Sequence, residues 1–196
     1  MDWLDRHLAI FPEPELLLVV GAGQGRDLPV LTAHCQRRIV LLEPQSRWAD
    51  ELRQKTREQS AVEIMQCALD EASGQGTLKV FNFDELTSLR PAPDLQALFP
   101  GARETTKMPV ETLSLADLVV RCDIEADRNN WLIVDAPETQ NVVLDGLKDP
   151  DLARRFHHVV LRVHRSISGQ VDLGSIKKEM FERGYSALGS ADENHG

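Results

Sequence analysis

Unbroken apolar runs set the framework of this chain. Leu16-Leu17-Leu18-Val19-Val20 and Ile39-Val40-Leu41-Leu42 contain no polar position at all, the pattern of strands covered on both faces in a parallel sheet. The first run is predicted to be central. Before it, Trp3, Leu4, His7, Leu8 and Phe11 share one face at helical spacing until Pro12 and Pro14 stop the segment, which predicts a short docking helix. Between the two runs lies the turn Gly21-Ala22-Gly23-Gln24-Gly25. Asp27 is placed to cap a helix reaching about residue 35, with Pro29 in its first turn, where a missing N–H does no harm.

The alternation continues downstream. Glu43-Pro44 ends the second run, and Ser46 opens a charged amphipathic helix through Trp48, Leu52 and Lys55. Residues 62–66 alternate as a third strand, and residues 77–81, following Gly74 and Gly76, predict an antiparallel one. Residues 82–103 carry Pro91, Pro93, Pro100 and Gly101 and show no period; such long segments in compact domains are usually lids or binding loops. Residues 108–113 are extended, and Ser114 caps a short helix over 115–120. A buried strand over 131–135, a helix over 139–147 and a strand over 158–163 follow. A closing helix over 173–183 stops at Gly184, and an edge strand is expected over 185–188. Strands and helices in this order predict an α/β, doubly wound, mostly parallel sheet with helices on both faces.

Composition narrows this further. A chain of 196 residues with 42% hydrophobic side chains supports one core, so a single domain over 1–188 is expected, with 189–196 a polar tail or the start of a linker. A net charge of -9 leads to the expectation that neither nucleic acid nor an anionic membrane surface is a partner. Cys35, Cys67 and Cys122 are widely spaced and odd in number, so they predict buried reduced thiols and no metal site. No apolar run is long enough to span a bilayer, and the first six residues lack the basic and apolar regions of a signal peptide; the expected location is the cytoplasm.

The candidate chemistry sits at the strand ends. Glycines at 21, 23 and 25 permit a tight turn and a close approach of backbone to a ligand at the carboxyl end of the first strand. Glu43, at the end of the second strand, can accept hydrogen bonds from both hydroxyls of a ribose. The turn lacks the last glycine of a dinucleotide fingerprint and is more similar to the first motif of class I methyltransferases. In that motif an acid stands two residues before the first glycine and holds the amino-acid end of the cofactor. Here the position is Val19, which cannot accept a hydrogen bond.

Over residues 16–185 the order of segments resembles the FkbM-type methyltransferases. The matching landmarks are the glycine turn, Leu42-Glu43-Pro44, Ala68-Leu69-Asp70 with Gly76-Thr77-Leu78, Val110-Glu111-Thr112-Leu113 with its following short helix, and Asp135 with Leu144-Asp145-Gly146. The resemblance implies a Rossmann-like class I methyltransferase fold. It also implies S-adenosylmethionine as cofactor and methyl transfer to a hydroxyl of a small molecule or glycan. Gly21, Ala22, Gly23, Gly25 and Glu43 then become cofactor contacts, with Gln66, Cys67 and Asp70 as the local choices for adenine. Asp135, Glu138 and His164 are the candidates for handling the acceptor's proton, and Arg162 and Arg165 suit an anionic group. The fourth-strand motif departs from the family pattern, keeping Asp135 but placing Ile133 for a lysine, Pro137 and Gln140 for glutamates, and Glu138 for a glycine. Those replacements leave a second reading open: a catalytically inactive module of the same fold, used for self-association or for binding a protein partner. A dinucleotide held by the same turn and Glu43 is the third.

Overall fold

The computed structural model describes residues 3–91, 95–137, 139–162 and 173–187. After helix α1 (Trp3–Leu8) come β1 (Leu16–Val20), α2 (Leu28–His34), β2 (Ile39–Leu42), α3 (Ser46–Lys55) and β3 (Val62–Met65). A short strand β4 (Ala68–Leu69), the long β5 (Gly74–Phe81), a helix α4 (Leu95–Leu98) and β6 (Glu104–Leu113) follow. The chain continues through α5 (Leu115–Arg121), β7 (Asn130–Val134), α6 (Gln140–Gly146), α7 (Pro150–Ala153), β8 (His158–Leu161) and α8 (Leu173–Glu182).

Five strands form one fully parallel sheet in the order β3-β2-β1-β7-β8. The apolar runs are buried on both sides because each strand feeds two cores. Leu17, Val19, Ile39, Leu41, Trp131 and Ile133 pack with Leu4 and Leu8 of α1, Leu28 and Leu31 of α2 and Leu52 of α3. The alternate set, including Leu18, Val20, Leu42, Leu132 and Val134, packs with Leu118 and Val119 of α5 and Val142 and Val143 of α6. The fold is thus α/β and doubly wound, with β1 central. Cys35, Cys67 and Cys122 are buried free thiols. Among the described residues no helix is long and apolar enough to cross a membrane.

Three local expectations need correction. Asp27 occupies the position before α2 but makes no capping bond with its side chain; its carboxylate is drawn instead to Arg162. Residues 185–187 form no strand, because the Tyr185 hydroxyl anchors the segment on the carbonyls of Ala153 (3.0 Å) and Phe156 (2.9 Å). Residues 82–103, which showed no period, contain a 3-10 turn at Asp84–Leu86, the helix α4 and an antiparallel bridge from Ser88 to Lys79. A small cluster of Phe81, Leu86, Leu95 and Ala102 holds that stretch. It leans on a second sheet, with order β4-β6-β5, in which the antiparallel strand expected over 77–81 and the extended stretch expected over 108–113 are found in β5 and β6, antiparallel to each other, and β4, which was not expected, pairs parallel with the end of β6.

Strand order decides where a ligand can enter. From β1 the chain winds outward through β2 and β3, then returns to the other side of β1 with β7 and β8. The loops after β1 and β7 therefore leave in opposite directions. Open α/β sheets form their ligand crevice at such a reversal, at the carboxyl ends of the strands.

Candidate functional site

A cavity of about 810 Å³ opens at that place, lined by residues 21–25, Glu43, Cys67, Asp135 and Arg162 among others. Its floor is built from backbone. The N–H groups of Gly21 and Ala22 both donate to the Leu42 carbonyl at 3.0 Å, pulling the turn toward β2. The N–H of Gly23 then donates to Oε2 of Glu43 at 2.8 Å, while Oε1 accepts from the N–H of Gln45 at 2.9 Å. The glycine bend and the Glu43 carboxylate therefore converge on one crevice.

The three glycines are required for different reasons. All have positive φ, +83° at Gly21, +52° at Gly23 and +75° at Gly25, the region that side chains disfavour. A Cβ on Gly21 would stand 2.5 Å from the Asp135 carbonyl oxygen, so this glycine lets the β1 and β7 loops touch. One on Gly25 would meet Leu52 Cδ2 at 2.6 Å, so this one lets α3 close. Around Gly23 there is nothing within 4 Å, so this glycine alone faces open space.

Glu43 is only 3% exposed. Burial pushes its carboxyl above the ordinary carboxylate range, with the hydrogen bonds from Gln45 and Gly23 working in the other direction. It serves the turn as a tether, and each oxygen has accepting capacity beyond the one amide it holds.

On the β7 and β8 side, an ion cluster crosses the cavity wall. Arg162, just after β8, donates from Nη1 to Asp27 Oδ2 (2.5 Å) and to Asp135 Oδ2 (2.9 Å). Burial opposes the charge of Arg162, but the hydrogen bonds with Asp27 and Asp135 outweigh it and hold the guanidinium pKa above its usual value. The Arg162 carbonyl accepts from Gln140 Nε2 at 2.9 Å, which gives Gln140 a structural task at the start of α6. Val19 and Ile133, the apolar replacements, are both packed against α2 and its neighbours.

On the opposite rim, the 3-10 turn reaches over the glycine bend. Asp84 pairs with Arg47 and accepts from Gln24 Nε2 at 3.3 Å, and Glu85 pairs with Arg26 at 3.2 Å. Arg47 itself lies over the Trp48 ring at 4.3 Å, a cation–π contact.

The expected residues divide as follows. Gly21, Ala22, Gly23, Gly25, Glu43, Cys67 and Asp135 all line the cavity. Cys67 is buried, which pushes its thiol up to about 12, so it offers an apolar wall and no thiolate. Gln66 is exposed and lies off the cavity, because it is the first residue beyond β3 and its side chain turns to solvent. Asp70 is also off the wall; its Oδ1 accepts from Arg90 Nη2 at 2.5 Å and from the Glu71 N–H at 2.7 Å. Arg90, which does line the cavity, had no signal in the sequence. Glu138, His164 and Arg165 lie outside the described residues. Among the described residues no cluster of metal-ligating side chains occurs.

No family model matches the chain, and none of the curated proteins matches it. Among solved structures, similarity is found to the 23S rRNA methyltransferase ErmE, at 12% identity and TM-score 0.44 over 95% of this chain. A second is the precorrin-6y C5,15-methyltransferase from Geobacter metallireducens GS-15, at 11% identity and TM-score 0.44 over 93% of this chain. The chain spans 53% of the length of the first protein and 69% of the second. The parallel order found here fits the Rossmann-like class I methyltransferase fold by itself, and likenesses at this level add nothing to it. One expectation is withdrawn. The first of these proteins acts on ribosomal RNA by its name, so the exclusion of nucleic acid drawn from net charge does not stand; an average over the surface says nothing of a local cluster.

Proposed function

We propose that the crevice holds S-adenosylmethionine and that the protein transfers its methyl group to a hydroxyl of a small molecule or glycan. One observation carries the reading: the Gly23 amide and the Glu43 carboxylate meet within 2.8 Å at the carboxyl edge of the central strands, which sets the glycine turn and a ribose-binding acid on the same crevice. The residues present suit such a ligand. Gly23 leaves backbone open to a close approach, Glu43 offers further acceptor capacity to ribose hydroxyls, and Cys67, Ala68 and Leu69 give an apolar wall at the β3 end. When bound, the cofactor supplies an electrophilic methyl on a sulfonium. The chain's part is to align the acceptor and take its proton. Asp135 in the cavity wall, with Glu138 and His164, are the groups proposed for that proton. The hydroxyl acceptor itself is inferred from the resemblance to FkbM-type proteins.

A second reading has its own support. Asp135 is ion-paired with Arg162, and Val19 and Ile133 are core residues where the family pattern is polar. An inactive binding module would show these features. Calorimetry with S-adenosylmethionine and S-adenosylhomocysteine, followed by transfer of a labelled methyl to a panel of hydroxyl acceptors, separates the two. Binding that Glu43→Gln weakens, together with transfer, supports the enzyme. Binding without transfer supports the module, and no binding by either nucleoside at millimolar concentration removes both the cofactor and the activity.

A further inference from the structure

The amino-acid end of S-adenosylmethionine carries an ammonium and a carboxylate, and a crevice that takes it must offer an acceptor and a donor together. Val19 offers neither. The ion cluster at the other side of the glycine bend offers both. Asp27 lies two residues after Gly25, and its Oδ2 is taken by Arg162, while its Oδ1 has no hydrogen-bond partner among the described residues. Arg162 uses only Nη1 for its two carboxylates, leaving Nη2 and Nε without hydrogen-bond partners among the described residues. Neither side chain is sealed off: Arg162 is 28% and Asp27 20% exposed, and both line the cavity. A guanidinium with two adjacent N–H groups unengaged matches a carboxylate in a bidentate manner.

We propose that Asp27 and Arg162 together receive the zwitterionic α-amino-acid end of the ligand, the ammonium on Asp27 and the carboxylate on Arg162, in place of the acid missing at Val19. This rests on the cofactor reading above. Geometry favours it over a simple plug, because Asp27 and Arg162 set an acceptor and a donor side by side in the cavity wall, and Arg162 keeps the carboxylates of Asp27 and Asp135 from repelling each other.

The test compares three ligands by calorimetry: S-adenosylhomocysteine, its decarboxylated analogue, and methylthioadenosine, which keeps the nucleoside and thioether but has no amino-acid end. Asp27→Asn is expected to weaken S-adenosylhomocysteine and the decarboxylated analogue about tenfold or more, as loss of a charge-assisted hydrogen bond does. Arg162→Met is expected to weaken S-adenosylhomocysteine alone. Both variants should bind methylthioadenosine as the native protein does, which also shows that the crevice is intact. If Arg162→Met does not fold, Arg162→Lys keeps the positive charge and removes the fork, and the same selective loss is expected. Equal losses for S-adenosylhomocysteine and methylthioadenosine would mean a structural role and overturn the inference. Unchanged or tighter binding of S-adenosylhomocysteine would overturn it too, by making Arg162 a plug. If the native protein binds methylthioadenosine but not S-adenosylhomocysteine, the inference fails while a nucleoside site survives; if it binds none of the three, the cofactor reading falls with it.

Discussion

Alanine at Gly23 and alanine at Gly21 should have opposite profiles, one harming the ligand and the other the fold. At Gly23 φ is +52°, close to the left-handed helical value, where an L-residue costs about 1–2 kcal/mol relative to glycine. No atom lies within 4 Å of the added methyl. Restricting the unfolded chain returns about 0.4–1 kcal/mol, so the net loss is about 1 kcal/mol, or about 2–4 °C in Tm for a domain of this size. At Gly21 the backbone term is similar, but the methyl would stand 2.5 Å from the Asp135 carbonyl oxygen and 2.9 Å from its carbon. Those atoms are fixed by the β1–β7 pairing, so an overpacking term of about 1–3 kcal/mol is added. Gly25→Ala falls between, because the obstacle there is the end of the Leu52 side chain. Urea denaturation followed by tryptophan fluorescence gives the three stabilities. Titration with S-adenosylhomocysteine, at a temperature where every variant is folded, gives the affinities. Gly23→Ala should be the most stable of the three and should bind the ligand at least about tenfold more weakly than the native protein, since its methyl enters the path of approach. A Gly23→Ala protein that binds normally would show that no ligand comes against this turn, and equal stability of the Gly21 and Gly23 variants would refute the assignment of Gly21 to strand-end packing.

Three further outcomes concern the frame around the site. Ser114→Ala removes the cap that accepts from the Asp117 N–H at 3.1 Å and should cost about 1 kcal/mol, read as a lower urea midpoint at constant slope. Tyr185 is the only tyrosine in the chain, and burial pushes its hydroxyl up to about 12. Because the unfolded chain loses this proton first, near 10, stability present below pH 10 should fall as the pH rises toward 12, and absorbance at alkaline pH should follow one late transition that Tyr185→Phe abolishes. His158 is stacked on Trp131 at 4.2 Å, and desolvation, then His157, lowers its pKa below the ordinary value near 6.5. Here the unfolded chain binds the proton more readily, so stability present above pH 6.5 is lost on acidification. Between pH 7.5 and 5 the unfolding free energy of the native protein should drop more than that of His158→Leu, and equal drops would refute a depressed pKa.

The parallel sheet was legible because its evidence is local. Five consecutive apolar residues at 16–20 can only be a strand buried on both faces or a piece of buried helix, and the glycine turn directly after them selects the strand. Glu43 was legible for the same reason, since its place at the end of the next run follows from counting. The second sheet was legible only in part, at 77–81 and 108–113, because β4 is two residues long and β6 begins with Glu104-Thr105-Thr106-Lys107, polar positions that become a strand only through pairing with β5. Asp27 illustrates a different failure. Its position before Pro29 satisfied every rule for a helix cap, yet its own backbone is helical, with φ -84° and ψ -9°, where a cap takes extended values, and a guanidinium 135 residues away in sequence competes for the carboxylate. Nothing local distinguishes the two outcomes.

That competition also bears on how the apolar replacements are understood. Val19 and Ile133 face the core beneath α2, where an ionised side chain would need a partner to offset its desolvation. Apolar residues there remove that requirement and leave the strands as unbroken packing surface. On this side of the crevice the charges then lie at the rim, on Asp27, Asp135 and Arg162, each part-exposed and each on a different segment just after a turn or strand end. A rim cluster can rearrange around a ligand without disturbing the sheet, which a charge under α2 cannot. Polarity missing from the strands is therefore weak evidence about chemistry in this fold, and the decisive residues are the ones that follow the strands.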